Sequence, residues 1–122
     1  MSWIRLVSSV ITAAFPASRK RRIEPPPGLE GARVSYVNQG RGGKVVFSAG
    51  HTSFEMYFEF GGGDTVATID IPSAAGWVER TGCPLAKRQA ILEFIGESVV
   101  RDQTTHGRGR FEVHDQYIRI HV

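Results

Sequence analysis

Hydrophobic and polar residues alternate most regularly in the segment 54–60. The side chains predicted to point into a core are large and apolar: Phe54, Met56, Phe58 and Phe60. The side chains predicted to point outward are Glu55, Tyr57 and Glu59. A period of two is typical of a strand with one buried face. The segment 65–71 repeats the alternation after a glycine-rich turn, with Asp70 on the outward side, so the two segments are predicted to pair as a hairpin.

Four more segments show the same short alternation and are predicted to be strands: 33–37, 44–48, 110–114 and 117–122. Between the fourth and fifth strands the apolar period changes to that of a helix, with these residues along one side: Leu85, Ile91, Leu92, Ile95 and Val99. Pro84 suits the first helical position because it has no N–H to leave unbonded, and Gly107 is predicted to stop the helix. Gly96 beside the apolar stripe indicates a close approach of helix to sheet. Trp77, ahead of the helix, is predicted to plug one end of the core.

The order β-β-β-β-α-β-β predicts an α+β fold. An antiparallel sheet of about six strands would carry one amphipathic helix on one face. A length of 122 residues fits one such core. We therefore expect residues 32–122 to form a single domain. Residues 23–31 contain three consecutive prolines, which favour a stiff extended spacer.

Residues 1–22 differ from the rest of the chain in composition. Apolar residues from Trp3 to Phe15 recur at helical spacing and predict an amphipathic helix that ends at Pro16, too short to span a bilayer. A basic run follows it: Arg19, Lys20, Arg21 and Arg22. The alternatives are a helix docked on the sheet or frayed in solution, and a helix on an anionic membrane surface held by Trp3 and the basic run. A secretory signal is a third reading, but basic residues after the apolar run oppose export.

Charge is distributed unevenly along the chain. The formal net charge is +3, but residues 1–22 contain five basic residues and no acid. Residues 23–122 contain ten basic residues against twelve acidic ones, which leaves this part slightly acidic. Residues 23–122 therefore lack the excess of basic residues that is typical of a nucleic-acid-binding protein.

Motifs for catalysis or cofactor binding are missing from the sequence. The glycine runs lack phosphate-loop spacing, and neither a nucleophile elbow nor a zinc-binding helix occurs. We therefore predict a non-enzymatic protein without catalytic residues, metal or cofactor. The second-ranked hypothesis is a peripheral membrane-associated or assembly factor anchored by the N-terminal amphipathic basic segment. The third is an enzyme with an unfamiliar site around Cys83 or the histidines; one such site would hold a metal on His114, His121 and Asp115. The single cysteine favours a reducing compartment, so we expect a cytoplasmic protein. If the N-terminal helix binds lipid, the protein would be peripheral to the inner membrane.

The outward side of the predicted sheet is the strongest functional candidate. Acidic residues around a tyrosine suit a basic protein partner, and we assign the binding residues as Glu55, Tyr57, Glu59, Asp70 and Arg119. Arg110, Glu112 and His121 are predicted to extend the same face. The competing interpretation is an ordinary solvated sheet face.

A pattern in the second half of the chain resembles a known protein class. Its residues are Trp77, Pro84, Arg88, Ile91 and Ile95, followed by a short strand ending in Glu112-Val113. This pattern resembles the C-terminal half of small bacterial immunity proteins of polymorphic toxin systems. The resemblance implies a non-enzymatic cytoplasmic protein that neutralises a cognate toxin. It does not extend to the N-terminal helix or to the triple proline.

Overall fold

The computed structural model describes residues 21–122. Six strands form one sheet: β1 (Arg33–Gln39), β2 (Gly42–Ala49), β3 (Thr52–Phe60), β4 (Thr65–Asp70), β5 (Arg110–Val113) and β6 (Tyr117–His121). A short helix, α1 (Trp77–Thr81), and the main helix, α2 (Arg88–Gln103), lie between β4 and β5. The predicted α+β class, with a six-stranded antiparallel sheet and one main helix, is confirmed. The predicted N-terminal helix lies outside the described residues.

The strand order in the sheet is β1-β2-β3-β4-β6-β5, and every neighbouring pair is antiparallel. The first four strands follow one another as hairpins. After the helices the chain returns as the edge strand β5, and β6 then inserts between β5 and β4. The last strand is therefore an interior strand, bonded on both sides.

The core lies between one face of the sheet and α2. Alternation along β3 is as predicted, because Phe54, Met56 and Phe58 are buried. Phe47 on β2 packs against Phe54, with ring centroids 5.3 Å apart, and edge-on against Phe94 of α2 at 6.0 Å. Aromatic contacts thus join the sheet to the helix.

Trp77 fills one end of this core, as predicted, and its side chain is fully buried. It lies in the first turn of α1 rather than in a loop. Its ring meets Phe54 edge-on at 5.5 Å, and its Nε1 donates a hydrogen bond to the Pro84 carbonyl at 3.2 Å.

The predicted start of the main helix is wrong. Pro84 is extended (ψ 144°), a 3-10 turn follows at Leu85–Lys87, and α2 begins at Arg88. The Pro84 carbonyl accepts bonds from the Trp77 indole and from the Lys87 N–H, so it is not available to an α-helical partner. Leu85 is consequently half exposed and does not belong to the buried stripe, whereas Ile91, Leu92, Ile95 and Val99 are fully buried.

The predicted ends of the helix and of the last strand also differ from the structure. Helix α2 ends at Gln103, and Gly107 (φ 65°) closes a separate 3-10 turn. Strand β6 ends at His121, which is level with Arg110, the first residue of β5. Val122 therefore extends past the ladder and is 61% exposed.

Both edge strands of the sheet contact α2. On β1, the Tyr36 hydroxyl donates to Asp102 Oδ2 at 2.7 Å, and on β5 the Phe111 ring lies against Gly96. Burial, and then the Asp102 carboxylate, raise the pKa of Tyr36 well above its usual value.

The segment 23–31 packs against the domain. Ile23 is 9% exposed and joins the core, and Leu29 lies against its edge. Lys87 donates a hydrogen bond to the Pro27 carbonyl at 2.7 Å. The proline-rich segment is thus held at the start of α2.

Substitution Gly96→Ala tests the close helix–sheet contact. A Cβ at this position would overlap the Phe111 ring. We expect the free energy of unfolding in urea to fall by about 1–3 kcal/mol, although alanine gains about 1 kcal/mol in helix propensity. The control is Glu97→Ala, at the exposed neighbouring position, which should leave stability nearly unchanged. A Gly96→Ala protein as stable as wild type would show that moving Phe111 aside costs no more than the helix propensity that alanine gains.

Candidate protein-binding face

The side of the sheet opposite α2 is here called the outer face. Both described helices contact the inner side, through Phe94 against Phe47 and Trp77 against Phe54. The register places every predicted binding residue on the outer face: Glu55, Tyr57, Glu59, Asp70 and Arg119. Arg110, Glu112 and His121 extend it, as the alternation predicts.

Two cross-strand rows organise the middle of the outer face. In the first row Lys44 is level with Tyr57, and Asp70 is level with Tyr117. The pairing of β3 with β4 runs from Phe60–Ala67 to Phe58–Ile69, and Tyr57 and Asp70 are the next residues of the two strands. In the second row the order from β3 to β5 is Glu59, Thr68, Arg119 and Glu112. Residues level with one another on adjacent strands are direct neighbours.

Lys44 neutralises one of the predicted acidic residues. Its Nζ lies 3.2 Å from Glu55 Oε1 and 5.7 Å from the centroid of the Tyr57 ring. The hydrogen bond to Glu55 is the main reason that the pKa of Lys44 is raised. Nothing in the sequence pairs Lys44 with Glu55, because the register between β2 and β3 depends on the turn at residues 50 and 51.

A second charged group, at the β5–β6 end of the outer face, surrounds Glu112. Its carboxylate lies 3.3 Å from His114 Nε2, 3.3 Å from His121 Nε2 and 3.8 Å from Arg119 Nη1. The contact with His114 is the main reason that the pKa of Glu112 is lowered. Arg119 also donates from Nε to Thr65 Oγ1 at 3.0 Å. Arg119 therefore already interacts with other residues of the outer face.

Glu59 and Asp70 are the carboxylates that remain. Both are exposed, and neither has an ion pair with any residue of 21–122. They border Tyr57, which at 63% is the most exposed aromatic side chain of the described residues. Within residues 21–122, the centre of the outer face is thus an exposed tyrosine near two carboxylates that have no ion pair.

The side chains considered for metal or thiol chemistry have other contacts. His114 and His121 approach opposite oxygens of Glu112, and Asp115 instead lies 3.6 Å from the Arg88 guanidinium. Within residues 21–122 no group of three or more His, Cys, Asp or Glu is arranged to hold a metal. The Cys83 thiol is buried, 3.8 Å from the Thr81 carbonyl oxygen.

Part of the predicted membrane-binding segment is described. Arg21 lies beside the end of α2, where its carbonyl accepts a bond from Arg101 at 3.3 Å, and Arg22 forms an exposed pair with Glu24. Trp3, Arg19 and Lys20 lie outside the described residues. Within the described residues, none of the helices combines the length and apolar character needed to cross a membrane. Binding of residues 3–22 to an anionic membrane stays a prediction.

Comparison with known proteins gives no relative: the chain matches no protein-family model, no curated protein and no solved structure. The resemblance to toxin-immunity proteins therefore stays a prediction as well.

Proposed function

We propose that this protein is a non-enzymatic module that binds a partner protein with a basic surface through its outer face. The observation that carries the proposal is that Glu59 and Asp70, near Tyr57, are exposed and have no ion pair with any residue of 21–122. The other two acids of the face, Glu55 and Glu112, already have cationic neighbours. Within residues 21–122, the centre of the outer face is therefore acidic.

The composition of the outer face suits an interface between proteins that also exist apart. The exposed apolar and aromatic side chains of the face are Tyr57, Tyr117 and Val37. The two tyrosines are amphipathic, and the valine is small. Tyrosine contributes much of the binding energy in such interfaces, and charged groups around it set association rate and partner choice. A permanent interface would be more apolar. An immunity-type role, in which the partner is a toxin, agrees with this reversible mode and is part of the proposal.

Affinity capture with two matched triple variants tests the proposed function. The face variant combines Glu55→Gln, Glu59→Gln and Asp70→Asn. The control combines Glu79→Gln, Glu93→Gln and Glu97→Gln, which remove the same charge from exposed positions on the helices. Proteins captured by wild type should be retained by the control but reduced about tenfold or more on the face variant, equivalent to about 1.4 kcal/mol of binding energy.

Equal capture by the two triple variants would contradict the proposal. Binding of a purified captured protein, measured at low and high salt, should show the same ranking. The difference between variants should shrink as salt screens the charges.

A further inference from the structure

One row of the outer face holds a carboxylate between two tyrosines. Asp70 on β4 is level with Tyr117 on β6, and on its other side Tyr57 is the residue of β3 next to the last pair of the β3–β4 ladder, Phe58 with Ile69. Adjacent strands are about 4.8 Å apart, so the two tyrosine backbones are separated by about 10 Å. A planar group stacked between two rings needs about 7 Å, at about 3.5 Å from each ring. The spacing of the strands therefore leaves room for one flat side chain between the two tyrosine positions.

Lys44 contacts the Tyr57 ring and His114 contacts the Tyr117 ring, in both cases from the side away from Asp70. Lys44, which lies over the Tyr57 ring, belongs to β2, on the side away from Asp70. His114, which stacks on Tyr117 with centroids 4.4 Å apart, follows β5, again on the side away from Asp70. Lys44 also shows that the Tyr57 ring already accepts a cation within the protein.

The carboxylate of Asp70 forms no ion pair with Arg119, the basic residue of the next row on the outer face. Arg119, one row away, is engaged by Thr65 and Glu112. In the part of the chain from residue 21 onward, no ion pair or side-chain hydrogen bond reaches the Asp70 carboxylate. Glu59, in the next row of the adjacent strand, adds a second negative charge nearby.

We infer that Asp70, with Tyr57 and Tyr117, is the seat for a single arginine side chain of the partner protein. The inference rests on the proposed function and names the chemistry of its central contact. A guanidinium group is planar, stacks on aromatic rings and bonds a carboxylate through two N–H groups. A lysine ammonium would meet the charge but gain less from the two rings.

Titration of the full chain with N-acetyl-arginine amide, followed by NMR, tests the seat. Amide shifts should centre on Tyr57, Asp70 and Tyr117, with weaker binding of N-acetyl-lysine amide by about threefold. Asp70→Asn should weaken arginine-amide binding about fivefold or more by removing the charged acceptor. Tyr57→Leu should reduce the preference for arginine over lysine. The control Glu93→Gln, which removes a carboxylate on α2, should leave both affinities unchanged.

Shifts centred elsewhere, or equal binding by wild type and Asp70→Asn, would overturn the inference. The capture experiment separates this failure from failure of the proposed function. If the face variant still loses captured proteins while the arginine probe ignores Asp70, only the arginine seat is wrong. If the probe binds the row but capture does not depend on the face, the protein-binding role is wrong and the cation seat stands.

Discussion

Deletion of residues 118–122 is expected to abolish the folded state. These residues form most of β6, which lies between β4 and β5 and bonds to both. The deletion also removes Ile118 and Ile120, which are fully buried. Each loss of a buried isoleucine costs about 2–5 kcal/mol, and a domain is stable by about 5–15 kcal/mol in total. Circular dichroism should show no cooperative thermal transition.

Removal of Val122 alone is the matched control. This residue is largely exposed, and its main contacts are a backbone bond to the Asp64 carbonyl and one from Arg110 to its own carbonyl. Its deletion should leave a cooperative transition close to that of wild type. Unchanged melting of the longer deletion would refute the interior position of β6.

Trp77→Ala is expected to lower the free energy of unfolding by about 3–5 kcal/mol. The indole is fully buried, packs edge-on against Phe54 and lies 5.8 Å from the Arg88 guanidinium. Its truncation leaves a cavity between β3 and the start of α2, and removes the donor to the Pro84 carbonyl. Urea unfolding followed by circular dichroism measures the loss.

Two variants make this result interpretable. Trp77→Phe keeps a ring against Phe54 but loses the Nε1 hydrogen bond and some volume, so an intermediate loss of about 1–2 kcal/mol is expected. Val78→Ala changes the adjacent, half-exposed position and should have little effect. A Trp77→Ala protein as stable as Val78→Ala would contradict the role of the indole as a core plug.

The folding core and the proposed binding face are built on the same strands but on opposite sides. Along β3, Phe54, Met56 and Phe58 are buried, whereas Glu55 and Tyr57 are exposed. Substitutions of the exposed set remove little packing, so their effects on binding can be measured in a folded protein. Substitutions exposed to water commonly change stability by no more than about 0.5 kcal/mol.

The membership of the outer face could be predicted from the sequence, but its charge balance could not. Alternation assigns Glu59, Asp70 and Arg119 to one side before any strand is paired. Only the tertiary structure shows that Lys44 meets Glu55 and that Arg119 meets Glu112, which leaves Glu59 and Asp70 without an ion pair to any residue of 21–122. Alternation with the buried Ile118 and Ile120 places Tyr117 on the outward side too, yet its position beside Asp70 depends on β6 inserting next to β4.

Local signals failed where a tertiary contact competes with them. Pro84 suits a helix start, but its carbonyl bonds to the Trp77 indole, so α2 begins four residues later at Arg88.

The sequence by itself determined the strands, the main helix and which side of each strand is buried. These properties follow from local periodicity, since side chains alternate on a strand and recur every 3.6 residues on a helix. Tertiary structure alone decided the strand order, the contacts of both edge strands with α2 and the neighbours of each charge. Those depend on contacts between residues far apart in the chain, such as Tyr36 with Asp102 and Asp70 with Tyr117. The arginine seat proposed at Asp70 depends on tertiary structure in the same way, because residues of three separate strands must come together to form it.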